Sequence, residues 1–270
     1  MSTQLRRTEG VNSKGWSTGR FYETPDGKKY PSVTNILGII AKPALINWAA
    51  KEERLMVSEA AANLYEDAPL TPKMSRPAFL STLETRLGKE KAHRKLLRKA
   101  GDIGTECHAL IEWNLRQELK QEAGPEPRLS DKAMWAFASW ENWRKSVKLE
   151  PISIEQIVWS ETDEHAGTLD LLARVDGRLT VLDWKTGKAI YWEALLQNAA
   201  YSKSIFEMGH AAEMPAGIIV RLPKVETDPG FDTLTIEPED MPRHYGHFMC
   251  ARGLWQGQHE MDKKDPWVNE

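Results

Sequence analysis

Cysteine is scarce: the chain has two, Cys107 and Cys250. Two thiols cannot build a four-cysteine zinc site or hold an iron-sulfur cluster, and they do not indicate a disulfide framework. Metal chemistry would have to rest on carboxylates and histidine. Long apolar runs are missing as well. None approaches the roughly 18 residues of a membrane span, and the opening Met-Ser-Thr-Gln-Leu-Arg-Arg has no apolar signal core, so a cytoplasmic protein with no membrane partner is expected. No G-x-x-x-x-G-K-[ST] phosphate loop occurs, and no nucleotide cofactor is expected. There is no internal repeat and no long low-complexity tract. Net charge is only −3, which argues against a surface coated in basic residues for tight non-specific DNA binding. What remains, 41% hydrophobic and 28% charged, is ordinary for a globular chain with room for one large domain or a core domain with a helical addition.

The stretch from Trp159 to Tyr201 organises the rest. Residues 168–175 form an apolar run of strand length, Asp176-Gly177 is a strong hairpin signal, and residues 179–184 form a second strand. Across a two-residue turn Asp170 and Asp183 come out opposite each other, and Lys185, two residues beyond Asp183, shares its face. Two neighbouring carboxylates repel unless a cation shares the site. Oxygen ligands with open positions suit Mg²⁺ or Mn²⁺, and a lysine beside them can orient water or neutralise charge on a phosphoryl oxygen. The set points to metal-assisted phosphodiester hydrolysis. A bare D-x-K triplet is more often a solvated surface pair; here Val181, Leu182 and Trp184 make the strand apolar, and ionic groups within it are costly unless used.

Along the chain, residues 1–29 read as a flexible, solvated segment with short extended pieces around the Pro25-Asp26-Gly27 turn. Residues 30–150 read as helical. A helix follows a cap at Ser32 or Thr34, Lys42-Pro43 breaks it, and residues 44–65 resume with partial periodicity from Leu45, Trp48, Ala49 and Leu55. Residues 77–99 read as one basic helix, punctuated after its end by Gly101 and Gly104. Its Arg86, Lys89, Lys91, Arg94, Lys95, Arg98 and Lys99 face a single acid, Glu90; such a run is either a solvated face or a surface that tracks phosphates. A helix over 105–119 carries Ile111, Leu115 and Leu119, and Ser130 or Asp131 caps one running to residue 148. Residues 151–270 mix strands at 152–159, 216–221 and 233–236 with helices at 189–208 and 238–258, the last interrupted at Gly246. A helical first half and a mixed second half imply an α/β fold.

Two helical pairs stand one turn apart: His108 with Glu112, and Gln197 with Tyr201. Each alone is ordinary, since a helical histidine is more often a core residue than a ligand. His244, His247 and Cys250 have ligand-like spacing but lack a fourth partner, and packing or surface is the simpler reading.

Taken in order, His108, Gly167-Thr-Leu-Asp170, Asp183-Trp-Lys-Thr-Gly187 and Gln197-x-x-x-Tyr201 resemble the PD-(D/E)XK nucleases of the RecB-like exonuclease branch. Tyr30-Pro-Ser-Val-Thr-Asn-Ile-Leu and Gly104-Thr-Glu-Cys-His-Ala-Leu-Ile-Glu112 are similar to the mitochondrial genome maintenance exonuclease group and its phage and bacterial relatives. The resemblance implies a restriction-endonuclease-like α/β core, a central mixed β-sheet flanked by helices, with the N-terminal helical region over the active site as an arch for single-stranded DNA. It implies His108, Asp170, Asp183 and the Trp184 carbonyl as ligands of Mg²⁺ or Mn²⁺, Lys185 as the residue that orients water, and Gln197 and Tyr201 as its positioners. The basic run would wall the DNA channel, and Trp16 or Trp48 could stack bases. The implied activity is a DNA exonuclease acting on single-stranded ends in a bacterial or phage-infected cell, in recombination, repair or replication, with a single-strand-annealing or replication protein as a partner. Two alternatives stand beside it: a restriction-like or structure-specific endonuclease, and a catalytically idle DNA-binding module. A fused helicase and an iron-sulfur cluster are not expected.

Overall fold

The Asp176-Gly177 turn forms as its sequence predicts, both residues taking positive φ, 50° and 85°, the backbone that lets a two-residue turn follow the twist of its strands. The computed structural model describes residues 5–11, 17–67, 75–228 and 230–264. In chain order the elements are β1 (Arg6–Val11), β2 (Ser17–Glu23), β3 (Lys29–Pro31), α1 (Val33–Leu37), α2 (Pro43–Asp67), α3 (Arg76–Leu87), α4 (Ala92–Glu118), α5 (Asp131–Ser146), β4 (Leu149–Ser160), β5 (His165–Val175), β6 (Arg178–Thr186), α6 (Trp192–Glu207), β7 (Ala216–Leu222), β8 (Asp232–Ile236) and α7 (Met241–Lys264). The described residues up to Ile40 and those from Ile103 onward make one compact unit, and Ala41–Asp102 make another.

In the larger unit, β1, β2 and β3 form an antiparallel sheet, and β4 to β8 form a second sheet in sequential order. Neighbours in the second sheet are antiparallel except β6 and β7, which are parallel. A parallel neighbour requires a crossover, and α6 supplies it. Helices cover both faces. On one, Ile103, Cys107, Ile111 and Leu115 of α4, four residues apart, pack with Trp140 and Trp143 of α5 on Leu171, Leu182, Trp184 and Val220. The Trp143 and Trp184 rings meet edge to face at 5.0 Å. On the other, Ile36 of α1, Leu196 and Ile205 of α6 and Phe248 of α7 bury Val158, Leu169 and Val181. The fold is α/β, a five-stranded mixed sheet flanked by helices.

Several local expectations need correcting. The basic stretch is not one helix: Gly88 takes φ 68° and closes α3, its N–H donating to the Glu84 carbonyl, because glycine accepts left-handed backbone at no steric cost. Lys89, Glu90 and Lys91 lie in the break before α4. Gly101 and Gly104 do not interrupt α4. A Cβ on Gly104 would come 2.8 Å from the Thr186 hydroxyl, so close approach to the end of β6 explains that residue. Gly246 likewise lies inside an unbroken α7. Pro43 opens α2 rather than preceding it, the position where its missing N–H costs nothing. Leu45 and Leu55, which gave the partial periodicity of α2, are exposed at 42% and 45%. Part of the N-terminal segment read as a solvated tail is strand: β1 and β2 pair from Arg6 opposite Glu23 to Val11 opposite Ser17.

The caps resolve as well. Ser32 caps α1, its hydroxyl accepting the Asn35 N–H at 3.0 Å. Ser130 precedes α5 without a side-chain cap bond, since its hydroxyl and N–H both donate to Glu106, at 2.6 and 2.8 Å.

Candidate functional site

Alternation along β6 separates two chemistries. Leu182 and Trp184 enter the core under α4 and α5, while Asp183 and Lys185 point to the opposite face, toward α6. Asp183 is 1% exposed. The Lys185 ammonium donates to Asp183 Oδ1 at 2.9 Å and to Gln197 Oε1 at 3.0 Å, and lies 2.7 Å from Asp183 Oδ2. The Gln197 amide in turn donates to the Tyr201 hydroxyl at 3.2 Å, a contact set by their one-turn spacing on α6. Tyr201 is seated by Gly167, where any Cβ would overlap its ring. The Tyr22 hydroxyl hydrogen-bonds Thr168 at 2.8 Å, tying the N-terminal sheet to β5 just ahead of Asp170.

The β5–β6 register ends at Leu171 opposite Leu182. Beyond it the Asp170 carboxylate, not its backbone, takes the Trp184 N–H, at 2.8 Å. His108, from α4, joins from outside the hairpin. Its Nε2 lies 3.0 Å from the Trp184 carbonyl; a carbonyl can only accept, so Nε2 donates, and Nδ1, 3.7 Å from Asp170 Oδ2, is the nitrogen that would offer its lone pair to a metal. The Trp184 carbonyl, expected as a metal ligand, is engaged by His108 here and keeps a second lone pair.

Glu155 is the member that sequence reasoning missed. It lies on β4 between Ile154, opposite Leu171, and Gln156, opposite Leu169, and so faces Asp170 across the ladder. Its φ of 49° is in the left-handed region, uncommon for a side chain longer than asparagine. His108, Glu155 and Asp170 each offer a donor atom within 4.8 Å of the others, and all three are half-buried. Among the described residues this is the one such group of three or more. Imidazole nitrogen with carboxylate oxygens is a donor set that could hold a divalent metal. Asp183 is engaged with Lys185 rather than with this trio.

The electrostatics are set by burial and by carboxylates close to one another. Burial first, then the charges of Asp170 and Glu112, push the Glu155 carboxyl up to about 8, against weaker pulls from Arg116 and Arg7. Burial also raises Asp183, while the Lys185 ammonium pulls it back. For Lys185 burial disfavours the charge, but Asp183 and Asp170 outweigh it and its pKa is raised. Burial and the Asp183 charge lift Tyr201 well above the usual phenol range, so its hydroxyl keeps its proton.

The seven basic residues do not belong to this constellation of bonds. Arg86 lies in the last turn of α3, Lys89 and Lys91 in the break, and Arg94, Lys95, Arg98 and Lys99 in α4, all exposed and all within Ala41–Asp102. Arg98 pairs with Glu90 at 2.7 Å. Trp48 is half-buried on α2, and Trp16 lies outside the described residues. The His244 and His247 rings are 6.5 Å apart on α7, without a third ligand beside them among the described residues.

No family model matches the chain, and no curated protein does. Among solved structures the chain is similar to the crystal structure of SSO0001, at 10% identity over 73% of this chain and 84% of that one. The TM-score is 0.24, a likeness too slight to bear on fold or function.

Proposed function

We propose that the protein is a divalent-metal-dependent deoxyribonuclease on a restriction-endonuclease-like core, an exonuclease that acts on single-stranded DNA ends. The observation that carries the reading is the Lys185 ammonium, bonded to both Asp183 and Gln197, on the strand next to the His108, Glu155 and Asp170 group. Asp170 and Asp183 follow directly on the paired Leu171 and Leu182 at one end of the hairpin, and imidazole with carboxylates is a donor set suited to Mg²⁺ or Mn²⁺. When bound, such a cation would neutralise charge on phosphoryl oxygens and activate water.

The chain's own groups each have a task in this reading. The Lys185 ammonium is held by Asp183 and Gln197, and its task is to donate to an attacking water or to a phosphoryl oxygen. The Gln197–Tyr201 bond fixes the amide so that its oxygen faces the ammonium. The Trp184 main chain orients two groups at once, its N–H holding Asp170 and its carbonyl holding the His108 tautomer. The exposed cations of the 86–99 run offer a sequence-independent hold on the phosphate backbone.

The test is end-labelled single-stranded, double-stranded and circular single-stranded DNA incubated with Mg²⁺, Mn²⁺ or EDTA. Linear single strands should be shortened from an end with either metal and left whole in EDTA, and circles should stay intact. Cleavage of circles would make the enzyme an endonuclease, and no cleavage with any metal would overturn the nuclease assignment.

A further inference from the structure

We propose that the stacked Trp255 and His259 rings are a nucleobase platform that grips a single strand away from the hydrolytic centre. The two residues lie one turn apart on α7, and their rings stack at 4.8 Å and 15°. Phe21 of β2 leans against both, 6.3 Å from Trp255 and 6.4 Å from His259. Trp255 packs against the core on one side, but the cluster is not enclosed. Trp255 and His259 are half-buried and line two separate cavities, one of about 490 Å³ toward Lys29 and Arg252 and one of about 240 Å³ toward Asn35 and Gln258. An aromatic used only for packing would have apolar neighbours on all sides; this pair is a partition with open space beside it. The larger cavity falls within the roughly 300–1,000 Å³ of sites that take small ligands.

The polar lining selects a base rather than a bare anion. Gln256 and Glu260 line the larger cavity, and Asn35 and Gln258 the smaller. Carboxamides and carboxylates match the donor and acceptor edges of bases. Lys29 and Arg252 add positive charge, but Glu9, Glu164 and Glu260 outnumber them, so stacking rather than phosphate contact must supply the affinity. Arg252 donates to Gln256 at 3.0 Å and to Glu164 at 3.4 Å, which holds its guanidinium at the wall of the larger cavity. Glu164 precedes Asp170 by six residues, about 20 Å of strand, so a chain cut at the one site and stacked at the other must be several nucleotides long. The choice of ligand rests on the nuclease reading.

The experiment measures, in EDTA, the binding of a fluorescently labelled single strand of about 16 nucleotides, the upper site size of such grooves. The full-length protein is compared with Trp255→Leu and Trp255→Phe. Trp255→Leu keeps apolar bulk but removes the π face, and should weaken binding roughly 5- to 150-fold, the range for one lost stack; Trp255→Phe should restore most of it. Equal affinity for Trp255→Leu overturns the platform. So does a loss that Trp255→Phe shares in full alongside a lowered melting temperature, which marks packing. If no DNA is cleaved with any metal yet the Trp255→Leu loss persists, the platform stands and the nuclease reading falls. If cleavage is present and Trp255→Leu binds normally, the platform alone falls.

Discussion

Replacing Glu155 with glutamine tests the site without assuming any reaction. The side chain is half-buried beside Asp170 and His108, and its carboxyl is raised from 4.5 to about 8. A folded-state pKa above the unfolded one means that stability is full below about 4.5 and is lost as pH climbs toward about 8. At about 1.4 kcal/mol per pKa unit, holding this group in the folded protein at pH 7 costs roughly 3 kcal/mol; partial solvent access and screening reduce that to about 1–2 kcal/mol. Glutamine keeps the shape and never ionises. The metal-free variant should therefore melt above the unaltered protein at pH 8, by about 2–6 °C for a domain of this size, and the gap should close near pH 5. Added Mn²⁺ should reverse the order, because only the carboxylate binds and stabilises through the metal. Thermal unfolding at pH 5 and 8, in EDTA and in Mn²⁺, checks all of this. A variant less stable than the parent in EDTA at pH 8, or equally stabilised by Mn²⁺, would refute both the repulsion and the ligand role.

Lys185→Ala should lower cleavage by about 10²-fold or more, at roughly 1.4 kcal/mol per decade, with the melting temperature held within a few degrees; near-normal turnover at saturating Mn²⁺ would remove Lys185 from the chemistry. Gly167→Ala forces a methyl group into the Tyr201 ring and should cost about 1–3 kcal/mol by overpacking, read by urea denaturation, with activity falling further because Tyr201 no longer steadies Gln197. Reversing Arg94, Lys95 and Arg98 to Glu should weaken DNA binding and flatten its salt dependence, each lost phosphate contact removing a slope of about 0.7 for single strands; an unchanged slope in a salt titration would return the run to a solvated surface.

The chemistry-bearing hairpin was legible because its information is local. A two-residue turn fixes register, strand alternation puts Lys185 on the face of Asp183, and helical spacing pairs Gln197 with Tyr201; that the second pair meets the first was only implied by the family resemblance. The stripe Ile111, Leu115 on α4 followed from the same periodicity. His108 could not be tied to the site this way: sixty-two residues separate it from Asp170, and only the packing of α4 on the sheet brings its ring to the Trp184 carbonyl. Glu155 left even less trace. Residues 152–159 read only as a strand, and the meaning of Glu155 depends on the β4–β5 register, which is set across the turn at Glu161–Glu164 and a register shift near Pro151 that no local rule specifies. The glycines divide in the same manner. Gly177 announces its turn because a positive φ is demanded by the chain itself. Gly104 and Gly167 were ambiguous until distant side chains, Thr186 and Tyr201, were seen to occupy the space where their Cβ atoms would be. Sequence determined what bonds along the backbone require over a turn or two; the tertiary structure decided which distant groups share a small volume, since burial, repulsion and close approach are properties of that volume and not of the chain.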